Sequence, residues 1–248
     1  MSVAAVAHSL RLYHAPARRP ALDAFHARFL AAGELAFDVG AHVGDRAASF
    51  SRLGARVIAI EPQPPLLRAL RLLFRRDARV TLRPVLLGEA PGRATLRLNT
   101  ANPTVATVSD AFIAAADGAP GWEGQSWDAA LDCEVTTLDA LIAAHGEPSF
   151  CKIDVEGHEA AVLAGLSRPL RTLSFEFTTI QRDVAGAALA RLVALGYRHF
   201  NACLGESMEW AFPAAVAAAE MGAWLGALPA EANSGDVYAS LEPERLRA

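Results

Sequence analysis

Cysteine is scarce: Cys133, Cys151 and Cys203 are all that the 248-residue chain contains. They are odd in number and form no C-x-x-C pair, which argues against a thiolate metal site and a disulfide framework. Reduced, buried thiols in a cytoplasmic protein are the expectation. Long apolar runs are missing too; none reaches the ~18 uncharged residues of a membrane-spanning helix. The first 34 residues interleave His8, Arg11, His14, Arg18, Arg19 and Asp23 with short apolar pieces, so they lack the unbroken core of a secretory signal. No excess of positive charge is present: the net charge of −4 offers no attraction toward nucleic acid or an anionic membrane. No internal repeat is visible. Apolar residues are abundant, at 52% against 20% charged, enough for a full α/β core in one domain.

The chain is organised around residues 35–45, LAFDVGAHVGD. The short apolar run suits a buried parallel strand, and Gly40 and Gly44 suit a tight turn and close helix packing. Such a hinge presents backbone N–H groups at a helix N-terminus beside a strand's carboxyl end, where open α/β sheets bind ligands. The middle glycine of a dinucleotide fingerprint is absent, its place taken by His42, which blocks a close pyrophosphate approach. Asp38 would repel phosphate and attract an ammonium or sulfonium group. Residues 57–61, VIAIE, read as a second buried strand ending in Glu61, at about the ~20-residue spacing that sets a carboxylate on ribose hydroxyls. S-adenosylmethionine carries both features, a cationic centre and a ribose. His42 itself would meet the ligand through its backbone.

Along the rest of the chain, residues 1–20 read as an arm or short strand and 21–32 as a helix stopped by Gly33. A helix over 45–53 is followed by the strand at 57–61. Pro62, Pro64 and Pro65 open a helix striped with Leu66, Leu67, Leu70, Leu73 and Phe74, its arginine face solvated. Residues 80–87 read as a strand, with 93–98 as its hairpin partner. The stretch 99–131 is irregular and holds Trp122 and Trp127, either a substrate-facing wall or anchors. Strands at 132–136, 150–155, 173–177, 197–202 and 236–241 then alternate with helices at 138–144, 156–166, 187–195 and 208–228. That alternation argues a mainly parallel sheet with helices on both faces.

Residues 151–159, CKIDVEGHE, form a second constellation. Lys152 and Asp154 are charges in an apolar strand and must be paired or lie near its end. Parallel strands would bring Asp154 to the same rim as Asp38 and Glu61. Glu156 and Glu159 suit the first turn of a helix. His158, within that helix, reads as a surface or packing residue before it reads as a base. Glu176 could join Asp154 on a divalent cation, but no third ligand is identifiable, and no metal is assigned.

With these motifs on hand, DVGAHVGD at 38–45, IEPQP at 60–64, LLGEAPG at 86–92, TLDAL at 137–141 and KIDVEGHEAAVLAG at 152–165, the sequence resembles the FkbM-type S-adenosylmethionine-dependent methyltransferases. The resemblance implies an α/β Rossmann-like fold, a seven-stranded sheet with its last strand antiparallel. It further implies that Asp38, Gly40 and Gly44 hold the methionyl end of the cofactor, with His42 in the same loop. Glu61 would hold the ribose, and Gly88 with Glu89 the adenine edge. Asp154 would line the point where donor and acceptor meet, as the catalytic carboxylate. On this reading the chain is one methyltransferase domain: an arm and helix over 1–33, a cofactor-binding half over 34–98, a substrate loop over 99–131 and a second half over 132–248. The expected activity is O-methylation of a small-molecule acceptor, a sugar or natural-product scaffold. A nucleotide-dependent oxidoreductase and a non-catalytic binding module are the rivals, and a homo-oligomer is left open.

Overall fold

The computed structural model describes residues 3–248. In chain order the elements are α1 (Val3–Tyr13), α2 (Arg19–His26), β1 (Leu35–Val39), α3 (Asp45–Arg52), β2 (Arg56–Ile60), α4 (Pro64–Leu73), β3 (Val80–Arg83), β4 (Leu86–Leu87), β5 (Gly92–Leu98), α5 (Asp110–Ala116), β6 (Ala129–Thr136), α6 (Leu138–His145), β7 (Phe150–Ile153), α7 (Glu159–Ala164), β8 (Thr172–Thr178), α8 (Arg182–Leu195), β9 (His199–Leu204), α9 (Ala218–Ala227) and β10 (Ser234–Ser240).

Seven strands form the main sheet in the order β3-β2-β1-β7-β8-β10-β9. All pairings are parallel except those of β10, which runs antiparallel to both β8 and β9. The α/β Rossmann-like expectation holds, including the antiparallel last strand. Both faces are buried because alternate residues point opposite ways. Leu35, Phe37 and Val39 join Ile153, Leu163, Phe175 and Leu192 in one core cluster. Ala36 joins Phe25, Phe29, Phe50, Phe150 and Tyr238 in another. Strand order reverses between β1 and β7, so their carboxyl ends form the crevice in which such sheets bind ligands. Among the described residues no helix is long and apolar enough to cross a membrane.

Several sequence expectations give way. The arm at 1–20 contains helix α1, although residues 1 and 2 lie outside the described residues. The strand at 80–87 divides into β3 in the main sheet and β4 in a three-stranded sheet of order β4-β6-β5. The hairpin across 90–92 does not form: β5 pairs antiparallel with β6, from Gly92↔Val135 to Leu98↔Ala129. The intervening segment is ordered by its own cluster of Val105, Phe112, Ala116 and Trp122. The helix over 156–166 begins only at Glu159, because Glu156 and Gly157 take positive φ values of 53° and 87°. The helix at 208–228 is confined to α9.

Candidate active site

The hinge after β1 is held by its own acids. Asp38 is buried, and its Oδ2 accepts from the Ala47 N–H at 3.0 Å, tying the first turn of α3 to the strand. Burial pushes its pKa up to about 7. Glu61 follows β2, where its two carboxylate oxygens accept from the His42 and Gln63 N–H groups at 2.9 and 2.8 Å. Burial pushes its pKa up to about 8. His42 takes a φ of 49° and packs edge-on to Tyr13 at 5.3 Å between ring centroids. Burial lowers its pKa to about 4, so the ring is neutral, and its Nε2 is buried without a partner.

The two hinge glycines serve different neighbours. A Cβ on Gly40 would stand 1.7 Å from the carbonyl oxygen of Asp154, so only glycine lets the ends of β1 and β7 approach. A Cβ on Gly44 would press on Leu70 and Phe74, so this glycine seats α4 and lies behind the cavity wall.

The cavity in front of the hinge has about 1010 Å³ of space and opens to solvent. Asp38, Gly40, His42 and Glu61 all line it. Gly88 and Glu89 do not: Gly88 packs toward Val135 and Glu89 is exposed. The neighbouring 85–87 takes the wall instead, and with Ile60 and Leu96 supplies an apolar face suited to a heterocycle. Sequence reasoning missed Tyr13, Arg46, Thr104 and Glu206, which reach the wall from other elements and carry no local motif, and Gln63, which stands within the IEPQP motif but was given no role.

On the β7 side the rim is acidic. Lys152 is the chain's only lysine, and its side chain is 4% exposed. Its Nζ donates to Asp154 Oδ2 at 2.7 Å and lies 3.5 Å from Asp236 Oδ1. Burial works to raise the Asp154 pKa, yet the Lys152 ammonium outweighs it and holds the carboxyl below its usual value. Glu159 accepts from the Val155 and Gly157 N–H groups and so pins the loop over 154–158. Glu156 therefore leaves the helix, and its carboxylate joins those of Asp154 and Glu176, with ligand oxygens within 4.8 Å of one another. This is the third carboxylate that the sequence did not reveal, because Glu156 reads as a first-turn residue. Burial raises the pKa of both Glu156 and Glu176. His158 caps α7 without a side-chain hydrogen bond and lines the cavity; burial lowers its pKa.

Acids at the carboxyl ends of β1, β2 and β7 surround a cavity at the reversal of strand order, where open α/β sheets bind their ligands. Residues 38–199 match the methyltransferase FkbM domain, and the chain belongs to that family. No curated protein matches it in sequence. Among solved structures, precorrin-6Y C5,15-methyltransferase from Geobacter metallireducens is 12% identical with a TM-score of 0.44, over 90% of this chain and 87% of that one. Fibrillarin from Aeropyrum pernix, with natively bound S-adenosyl-L-methionine, is 11% identical with a TM-score of 0.45, over 88% and 76%. An O-methyltransferase from Bacillus cereus in complex with S-adenosylhomocysteine is 11% identical with a TM-score of 0.45, over 97% and 92%.

The cofactor of this methyltransferase is S-adenosylmethionine, and the wall fits it. Two buried wall atoms, His42 Nε2 and Gln63 Oε1, have no hydrogen-bond partner in the protein and await a polar ligand. Carboxylates flank them, where a sulfonium and a ribose diol find complementary charge and acceptors.

Proposed function

We propose that the protein is an O-methyltransferase acting on a hydroxyl of a sugar or natural-product scaffold. The observation that carries this reading is the Lys152–Asp154 pair at the mouth of the donor cavity. Glu61 accepts from the ribose hydroxyls, Asp38 and Gly40 face the methionyl end, and 85–87 covers the adenine. When bound, S-adenosylmethionine supplies a methyl group on a sulfonium centre, open to in-line attack by an oxygen nucleophile.

Asp154, kept ionised by Lys152, accepts the hydrogen bond of the acceptor hydroxyl and takes up its proton as the oxygen becomes bonded to carbon. Glu176, packed against it, steadies the carboxylate. Orientation of two reactants supplies ~7–11 kcal/mol of barrier reduction, and a positioned base a further ~10²–10⁴-fold.

The test is transfer from methyl-labelled S-adenosylmethionine to a panel of hydroxyl-bearing sugars and scaffolds. Asp154→Asn should lower turnover at least ~100-fold while S-adenosylhomocysteine affinity stays within about twofold. Near-normal turnover in that variant rejects the role of Asp154. Binding of the donor with no transfer to any acceptor would favour a non-catalytic module.

A further inference from the structure

A second cavity, with about 830 Å³ of space, adjoins the donor cavity and is walled by the segment after β5, the turn after β9 and the start of β10. The two share Tyr13, Thr104, Lys152, Asp154, Glu156 and Glu176, so a molecule in the second cavity reaches the rim of the first. This is the acceptor's place on the reading given above.

Its charge is one-sided. Glu206 is held by Arg18 and Arg46, at 2.6 Å each. That leaves Asp154, Glu156, Glu176 and Asp236 on a wall to which Lys152 alone contributes a cation. Glu156 Oε2, Glu176 Oε2 and Asp236 Oδ1 are buried and have no hydrogen-bond partner among the described residues. Asp236 is 5% exposed as a residue, and its Oδ1 has only the charge of the Lys152 ammonium at 3.5 Å, an ammonium already bonded to Asp154, to offset its burial. One donor is stranded as well: Trp122, 7% exposed, leaves its Nε1 unpartnered on the same wall. Asn102, Gln125 and Asn233 add amide groups to the same wall.

From these groups we infer that the acceptor is a polyol bearing a protonated amine, an amino sugar or aminocyclitol, its ammonium seated among Glu156, Glu176 and Asp236. An ammonium supplies N–H donors to these three oxygens, none of which has a hydrogen bond of its own, and ring or hydroxyl oxygens accept from Trp122 Nε1. A bare divalent cation is less well served, because Lys152 already holds Asp154 Oδ2, one of the three carboxylates such an ion would draw on, and an ion gives the Trp122 Nε1 donor no acceptor. The arrangement also directs the chemistry: an amine kept protonated has no lone pair, so the methyl group is left to the hydroxyl at Asp154.

Calorimetric titration tests the inference in two stages, and it rests on the methyltransferase reading without being confounded by it. S-adenosylhomocysteine is titrated first, so a failure of the donor site shows there. Glucosamine and streptamine, against glucose and inositol, are then titrated with and without it. The amines should bind at least about tenfold more tightly than their neutral counterparts. Asp236→Asn, in a residue that lines only the second cavity, should erase that preference while S-adenosylhomocysteine affinity stays within about twofold. Trp122→Phe should weaken amines and neutral polyols alike. Equal binding of amine and neutral compounds, no binding of either amine, or an Asp236→Asn variant that keeps the preference would overturn the inference. So would a preference that appears only once magnesium is added, which would assign the acids to a metal.

Discussion

Glu61 shows how a single carboxyl ties cofactor binding to pH. Its folded pKa, pushed up to about 8, lies above the ordinary carboxylate value. The protonated form is therefore favoured by folding; that contribution is complete below the unfolded pKa and is lost as pH rises through about 8. A ribose diol needs the ionised form as its acceptor, so donor binding competes with the proton. The affinity for S-adenosylhomocysteine should rise at least ~10-fold between about pH 6 and about pH 8 and level off only above about pH 9, while the thermal stability of the free protein falls as pH rises through about 8. Glu61→Gln should weaken binding by ~1–3 kcal/mol and flatten the pH profile. An affinity indifferent to pH in the parent protein would reject the ribose role. Asp38, raised to about 7, titrates inside the same window and steepens it.

The two strand-to-loop hinges meet through Gly40. With a φ of 82° and the Asp154 carbonyl in the place of a Cβ, Gly40→Ala should cost ~2–4 kcal/mol, read as a lowered urea midpoint and melting temperature. A midpoint unchanged from the parent would mean that the ends of β1 and β7 can part freely. These hinges were legible in the sequence because their signals are local: a buried apolar run, an acid at its end and a glycine turn. The rim of Asp38, Glu61 and Asp154 could be read for the same reason, once parallel pairing was assumed. The β5–β6 pairing could not, since its partner arrives only after the segment at 99–128 and pairing register leaves no mark in either strand alone. Glu156 was misread because helix propensity outvoted the left-handed turn that Glu156 and Gly157 adopt. Trp122 and Trp127, left between two roles, divide them. Trp127 anchors the segment by donating to the Val105 carbonyl at 2.7 Å, and Trp122 lines the second cavity.

At the scale of the molecule, the cavities are closed by parts far apart in sequence. Arg46 bonds both Asp45 and Glu206, and Glu206 also takes Arg18, linking α3, the approach to α2 and the turn after β9 across the mouth. Thr107 Oγ1 donates to the Glu156 carbonyl at 2.6 Å, fastening the second sheet's long connection to the loop after β7. Lining both cavities is the chain's one lysine. Its solitude makes it a reporter: an acylating reagent meets a single side-chain amine, and that amine is nearly sealed off. Mass-spectrometric labelling at Lys152 should thus proceed slowly in the free protein and more slowly still with S-adenosylhomocysteine bound, giving a direct clock for opening of the centre. The same scarcity means that amine-coupled immobilisation through side chains, harmless to most enzymes, can capture this one only by way of its own heart.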